Sequence, residues 1–147
     1  MKNVWSILCN HSLKDEESKK ISIINIVDSI GVIINNDQIG QKTFVNFPLE
    51  LISCWSSFGD NFNNFTVKIE LLDPQKQVLI NTKLDVKKEN YKNVNKVKNI
   101  TTNLSIKSFP VDGAGMYIFN ISQKSDNDKS FKLVSQIPVI VDIQVAK

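Results

Sequence analysis

Arginine is missing: all eighteen basic residues are Lys. Guanidinium groups make the two-pronged contacts to phosphate and guanine that nucleic-acid recognition relies on, so a dedicated nucleic-acid binder is not expected. Histidine occurs once, as His11, and cysteine twice, as Cys9 and Cys54. That set lacks the paired spacing of a structural zinc site. No Gly-rich loop leads from a strand into a helix, so the usual phosphate cradle is absent. No apolar run approaches the length of a membrane helix. The residues between Lys2 and Cys9 are too few for a secretory apolar region, and Asp15-Glu16-Glu17 follows soon after. Nowhere does a sustained helical stripe occur.

What remains is ordinary in bulk. The 147 residues carry a net charge of +3, with 41% hydrophobic and 22% charged residues. That fits one soluble domain, residues 1–147, large enough to fold without metal or disulfide. A cytoplasmic location and free thiols at Cys9 and Cys54 are expected. Without secretion, the Asn-x-Ser/Thr triplets at Asn10, Asn64, Asn99, Asn103 and Asn120 are accidents of an Asn-rich chain.

The chain then reads as short strands and turns. Val4 to Cys9 is apolar and β-prone. Asn10 to Lys20 is polar and suits either a capped helical turn at Ser12–Asp15 or a hairpin loop. Ile21 to Val27 lacks strict alternation, as a buried central strand would. Gly31 suggests a bulge or turn. Pro48 separates Phe44–Phe47 from Leu49–Ser57. Phe65, Val67, Ile69 and Leu71 alternate with Thr66, Lys68 and Glu70, the pattern of a half-buried strand. Asp73-Pro74-Gln75-Lys76 suits a type I turn. Val78, Ile80, Thr82, Leu84 and Val86 then alternate with polar residues, completing an antiparallel hairpin. Ile100 to Ile106 resumes the period of two. After Phe109-Pro110, Gly113 and Gly115 permit a tight turn. Tyr117, Phe119 and Ile121 then face one way and Met116, Ile118 and Asn120 the other. Ser125–Ser130 is a hairpin loop. Pro138 marks an edge strand, a sheet switch or a bulge in the last segment. Turn signals every eight to twelve residues or so indicate an all-β sandwich. The expected core is Trp5, Ile7, Ile24, Ile26, Leu51, Trp55, Val67, Ile69, Ile80, Leu84, Leu104, Ile106, Tyr117, Phe119, Val139 and Val141.

Gly115-Met-Tyr117-Ile-Phe119 resembles the start of strand F in immunoglobulin-like sandwiches, where a Tyr hydroxyl locks the preceding turn. Phe119 stands where an antibody domain has its second Cys, so no inter-sheet disulfide is implied. More of the chain is similar to an uncharacterised bacterial family of small β-sandwich proteins, a domain of unknown function. Its features are Trp5–Cys9, Ile21–Val27, Phe47-Pro-Leu-Glu-Leu51, the Val67–Leu72 strand into Asp73-Pro74, Phe109-Pro with Gly115-x-Tyr117-x-Phe119, and Ile137-Pro-Val139. Gln75-Lys76 departs from the usual Asp-Pro-Asp-Gly turn. The resemblance implies a single-domain immunoglobulin-like antiparallel sandwich of about seven to nine strands, and no activity. Gly113, Gly115, Tyr117 and Phe119 are structural residues on this reading.

Chemistry finds little to converge on. Cys9 and His11 would share a strand face, but a nucleophile needs its base within hydrogen-bond reach, and Cys usually only packs. Asp126-Asn-Asp128 offers oxygen ligands without an EF-hand pattern. Lys87, Lys88, Tyr91, Lys92, Lys96 and Lys98 form a basic stretch that could meet an anionic partner. The plainer reading is a solvated connection. No enzyme, cofactor, metal or membrane role is expected. The expected function is a non-enzymatic binding or structural module, able to self-associate through an exposed sheet edge. The alternative is a binder of small ligands or anionic partners through Lys87–Lys98.

Overall fold

The computed structural model describes residues 1–17, 20–57, 64–87 and 98–146. Within them the chain is all β apart from one short 3-10 turn at Asn36–Gln38. The strands are β1 (Lys2–Lys14), β2 (Ile21–Ile26), β3 (Ser29–Ile34), β4 (Thr43–Val45), β5 (Leu49–Ser57), β6 (Phe65–Leu72), β7 (Val78–Val86), β8 (Lys98–Ile106), β9 (Phe109–Val111), β10 (Gly115–Ser125) and β11 (Lys132–Val145). Four form a sheet in the order β2-β1-β5-β8, and five form a second sheet, β3-β11-β10-β6-β7. A short ribbon pairs β4 with β9. The two large sheets pack in a sandwich-like arrangement around one core. Eleven strands replace the expected seven to nine. The excess comes from the β4–β9 ribbon and from a break between β2 and β3.

That break corrects the reading of Ile21–Val27. The segment is not a central strand. Residues Ile21–Ile26 pair only with β1 and form the edge of the four-stranded sheet. Ile24 and Ile26, expected in the core, are 39% and 68% exposed. At Val27 and Asp28 the chain passes from one sheet to the other: Val27 N–H donates to the Leu8 carbonyl, and the Asp28 carbonyl accepts from Ile140 N–H. Beyond it, β3 runs parallel to β11 and buries Ile30, Val32 and Ile34. The uninterrupted apolar run thus reflects a change of sheet, not burial on both faces.

β1 is longer than the apolar run Val4–Cys9, because Asn10–Lys14 continue the ladder to β2. The polar stretch therefore makes a hairpin, closed by Asp15 N–H to the Lys20 carbonyl at 2.9 Å. Trp5 and Ile7 are half-buried, and Leu8 takes the core position. Central β5 is buried on both faces from Leu51 to Ser57.

Pro138 sits inside β11, opposite Ile118. It is tolerated there because β3 pairs with β11 only from Ile140 onward. Ile140 N–H points at that neighbour. Two residues earlier, Pro138 presents its missing N–H where no strand needs one.

Between the sheets lie Trp55, Phe65, Phe109, Tyr117 and Phe119, all 2% exposed or less. Trp55 and Phe65 meet at 5.2 Å between ring centroids, Phe109 and Tyr117 at 5.5 Å, in the tilted arrangements aromatic pairs prefer. Trp55 Nε1 donates to Thr102 Oγ1 at 3.0 Å.

The turn before β10 is a tyrosine corner in its bonding. The Tyr117 hydroxyl accepts from Asp112 N–H and donates to the Gly113 carbonyl, each at 2.8 Å. Gly113 has φ +97° and Gly115 φ +141°, angles that side chains rarely adopt. A Cβ at Gly115 would also lie 2.8 Å from Pro74 Cγ. Tyr117→Phe removes both bonds and strands a backbone donor, and should cost about 1 kcal/mol or more in urea unfolding. No loss of stability would refute the role given to the hydroxyl.

The β6–β7 connection closes through Lys76 N–H to the Asp73 carbonyl at 2.9 Å. The Asp73 carboxylate also accepts from Gln77 N–H at 2.7 Å. Lys76 then adopts φ +65°. Glycine is the residue that adopts such an angle without strain. A side chain there is strained, so Lys76→Gly should stabilise the fold by about 0.5–1 kcal/mol. Unchanged or reduced resistance to urea would contradict that.

Candidate interaction face

The five-stranded sheet turns one face to the core and one outward. On β10 the two-residue period buries Tyr117, Phe119 and Ile121 and leaves Met116, Ile118 and Asn120 on the other side. On β11 it buries Val139 and Val141 and turns out Pro138 and Ile140. Leu72 ends the outer row of β6, opposite Ile118. The register between β6 and β7 shifts between Leu71 and Leu72, so Val78 pairs with Leu72. Val78 is thereby 52% exposed, although strict alternation would place it in the core with Ile80.

Register then aligns these residues across four strands. Pro138, Ile118, Leu72 and Val78 form one continuous row from β11 to β7. Met116 and Ile140 form a second, shorter row beside it. Met116 is 55% and Ile140 52% exposed. Contiguous outward apolar residues of this kind mark interaction surfaces more often than scattered ones do.

Beyond these rows the face also turns out Ile33 on β3, and its polar residues largely pair within it. Gln136 donates to Asn120 at 2.8 Å. Lys68 bridges to Glu70 at 2.8 Å. Thr66 donates to Asp85 at 2.8 Å. The Lys68 and Lys83 ammonium groups lie 5.4 and 5.6 Å from the Phe131 ring centroid, within cation–π range.

Other expectations fall elsewhere. Residues 88–97, with Lys88, Tyr91, Lys92 and Lys96, lie outside the described residues. Lys87 is exposed just after β7, and Lys98 begins β8. Asp128 is occupied: its carboxylate accepts from Ser125 N–H at 3.1 Å and pairs with Lys132 at 2.7 Å. The Lys132 hydrogen bond leads the effects that lower its pKa. Among the described residues no group of three His, Cys, Asp or Glu could hold a metal ion. No helix there is long and apolar enough to cross a membrane.

Cys9 and His11 do not assemble a thiolate. Cys9 is fully buried, and its Sγ lies 3.5 Å from the Glu50 carbonyl. Burial, with the Glu50 charge behind it, pushes the thiol pKa up, away from a reactive state. Burial raises Cys54 likewise. His11 instead places Nδ1 3.3 Å from Glu50 Oε1. Sequence reasoning missed this Glu50 cluster, in which the Ser12 hydroxyl and the Asn103 amide both donate to Oε2. It joins β1, β5 and β8, which only the cross-strand register brings together. It missed the outer apolar rows for the same reason, although the outward parity of Met116 and Ile118 was an available signal.

No family model, curated protein or solved structure matches the chain.

The Glu50 carboxyl is held below its ordinary value of 4.5, chiefly by the Ser12 hydrogen bond and further by Asn103 and His11, against some desolvation. A depressed folded pKa gives stability that is complete above the unfolded value and lost as pH falls through the folded one. Glu50→Gln should therefore be less stable than wild type near neutral pH, with the gap closing below about 4.5. Urea unfolding across that range measures it; a gap independent of pH would show that the carboxylate charge is not what matters.

Proposed function

We propose that the chain is a non-enzymatic binding or structural module that acts through the outer face of its five-stranded sheet. The single observation behind this is the apolar row Pro138–Ile118–Leu72–Val78, flanked by Met116 and Ile140. A chain with ample inward apolar residues has no folding reason to align six more on the far side of a sheet. Interfaces of stable complexes have this composition, an apolar centre with a polar margin. The scaffold is an immunoglobulin-like sandwich in this reading, supported by the strand order, the parallel β3–β11 pair and the corner at Tyr117. Membership of the bacterial β-sandwich family that the sequence resembles belongs to the same proposal. Two buried free thiols fit a reducing, cytoplasmic setting.

A photoactivatable residue in place of Met116 tests the reading in cells that express the full chain. A discrete adduct, to any protein including the chain itself, is expected from Met116 and not from exposed Lys14 on the other sheet. Absence of any adduct specific to Met116 would overturn it.

A further inference from the structure

The partner of this face can be narrowed from its charges and its size. The inference rests on the reading above, that the face binds. Its outer positions carry Lys68, Lys83 and Lys124 against Glu70, Asp85 and Asp142, three of each sign, on a chain whose net charge is +3. The lysines of this chain are thus not concentrated here. Lys68 and Glu70 are bridged to each other, and Asp85 is bonded to Thr66. A strongly acidic or basic partner would find no net field to meet. A surface that is neutral overall and mixed in sign does not repel a second copy of itself.

We infer that the outer face of the five-stranded sheet is the interface of a two-fold symmetric dimer, with its partner a second copy of this chain. A two-fold axis lying between the two faces, parallel to the strands and midway between β10 and β11, sets Ile118 against Pro138 of the copy and Met116 against Ile140 of the copy. The polar residues further out then form a wet margin. Such a contact is isologous and closes after two copies. Stacked sheets lie about 10 Å apart and need no backbone rearrangement to pack. The size is sufficient. Five strands about 4.8 Å apart, each roughly 26 Å long, give a footprint of about 600 Å² in projection. The accessible area of a corrugated face exceeds its projection, so a contact that covers most of the sheet approaches the roughly 800 Å² per partner of a standard interface.

The edges fit less well. β2, an edge with four Ile, is interrupted by Asn25 at φ +54°, and β7 carries Lys83 and Asp85. Such features blunt strand-to-strand addition.

Sedimentation velocity on the purified full chain over a concentration series tests the proposal. Wild type should convert from monomer to dimer and no further. The double variant Met116→Glu with Ile140→Glu, both at exposed positions, should weaken the dimer by at least roughly tenfold. Its thermal unfolding, measured at a concentration where wild type is monomeric, should stay a single cooperative transition, lowered only modestly by the two carboxylates that face each other across β10 and β11. A wild type that stays monomeric to millimolar concentration would overturn the inference. So would a dimer that survives the double variant, since it would use another surface. If the Met116 photoadduct in cells contains a different protein while the pure chain stays monomeric, the face binds but the partner is not a copy. If neither adduct nor dimer forms, the binding reading fails with the inference.

Discussion

A buried phenol must find partners for its hydroxyl, and at Tyr117 both partners are backbone groups of the turn before it. That requirement sets more than the turn. With the Tyr117 ring held against Phe109, Tyr117 must point inward. The two-residue period then turns Phe119 and Ile121 inward and Met116 and Ile118 outward. β10 is the centre of its sheet, paired on both sides, so its register passes to β11 and to β6. A slip of one residue would drive Met116 and Ile118 into the core and put Tyr117 in water. The corner therefore fixes the composition of both faces at once.

Polar groups on the outer face follow the same economy. Lys68 has Glu70, Thr66 has Asp85, and Gln136 has Asn120. Each pair is partly exposed and contributes little to stability. Groups already paired offer little to a charged ligand, which leaves the apolar rows as the main unsatisfied feature of the face. The four-stranded sheet differs. Its outer polar cluster gathers round Glu50 at one end, where it fastens β1, β5 and β8 together.

Local pattern carried much of the fold, and cross-strand register carried most of the rest. Phe65–Leu72 and Gly115–Ile121 were legible because each alternates strictly and meets a turn with recognisable chemistry. Ile21–Val27 was not, because an apolar run without alternation has two causes, burial on both faces and passage between sheets. The chain gives no local sign of which applies, and Ile24 and Ile26 lie on the exposed side of that distinction. Val78 reads as inward from alternation, and a bulge of one residue reverses it. The apolar row could not be assembled from the sequence for a related reason. Its members lie on four strands, and their alignment depends on a bulge and on the Ile118–Pro138 and Ile118–Leu72 pairings. Cys9 and His11 stand two residues apart on one strand. Their separation in function came from Glu50, forty-one residues after Cys9, whose carbonyl and carboxylate engage one each.

Where apolar residues sit on a sheet decides what kind of association they permit. An edge strand offers unpaired backbone groups and accepts a further strand, whose far edge is free again, so growth has no natural end. A face has only one surface to present and is used up by one partner. In this chain the apolar edge, β2, carries the left-handed Asn25, while the aligned apolar rows lie on a face whose strands are already paired. The β3 edge exposes Ile33 but also runs through Gly31, which has no side chain to support a neighbour. Apolar surface is thus concentrated where contact terminates and interrupted where contact would propagate. That distribution favours a closed complex over an open one, and it follows from the same two-residue period that Tyr117 holds in place.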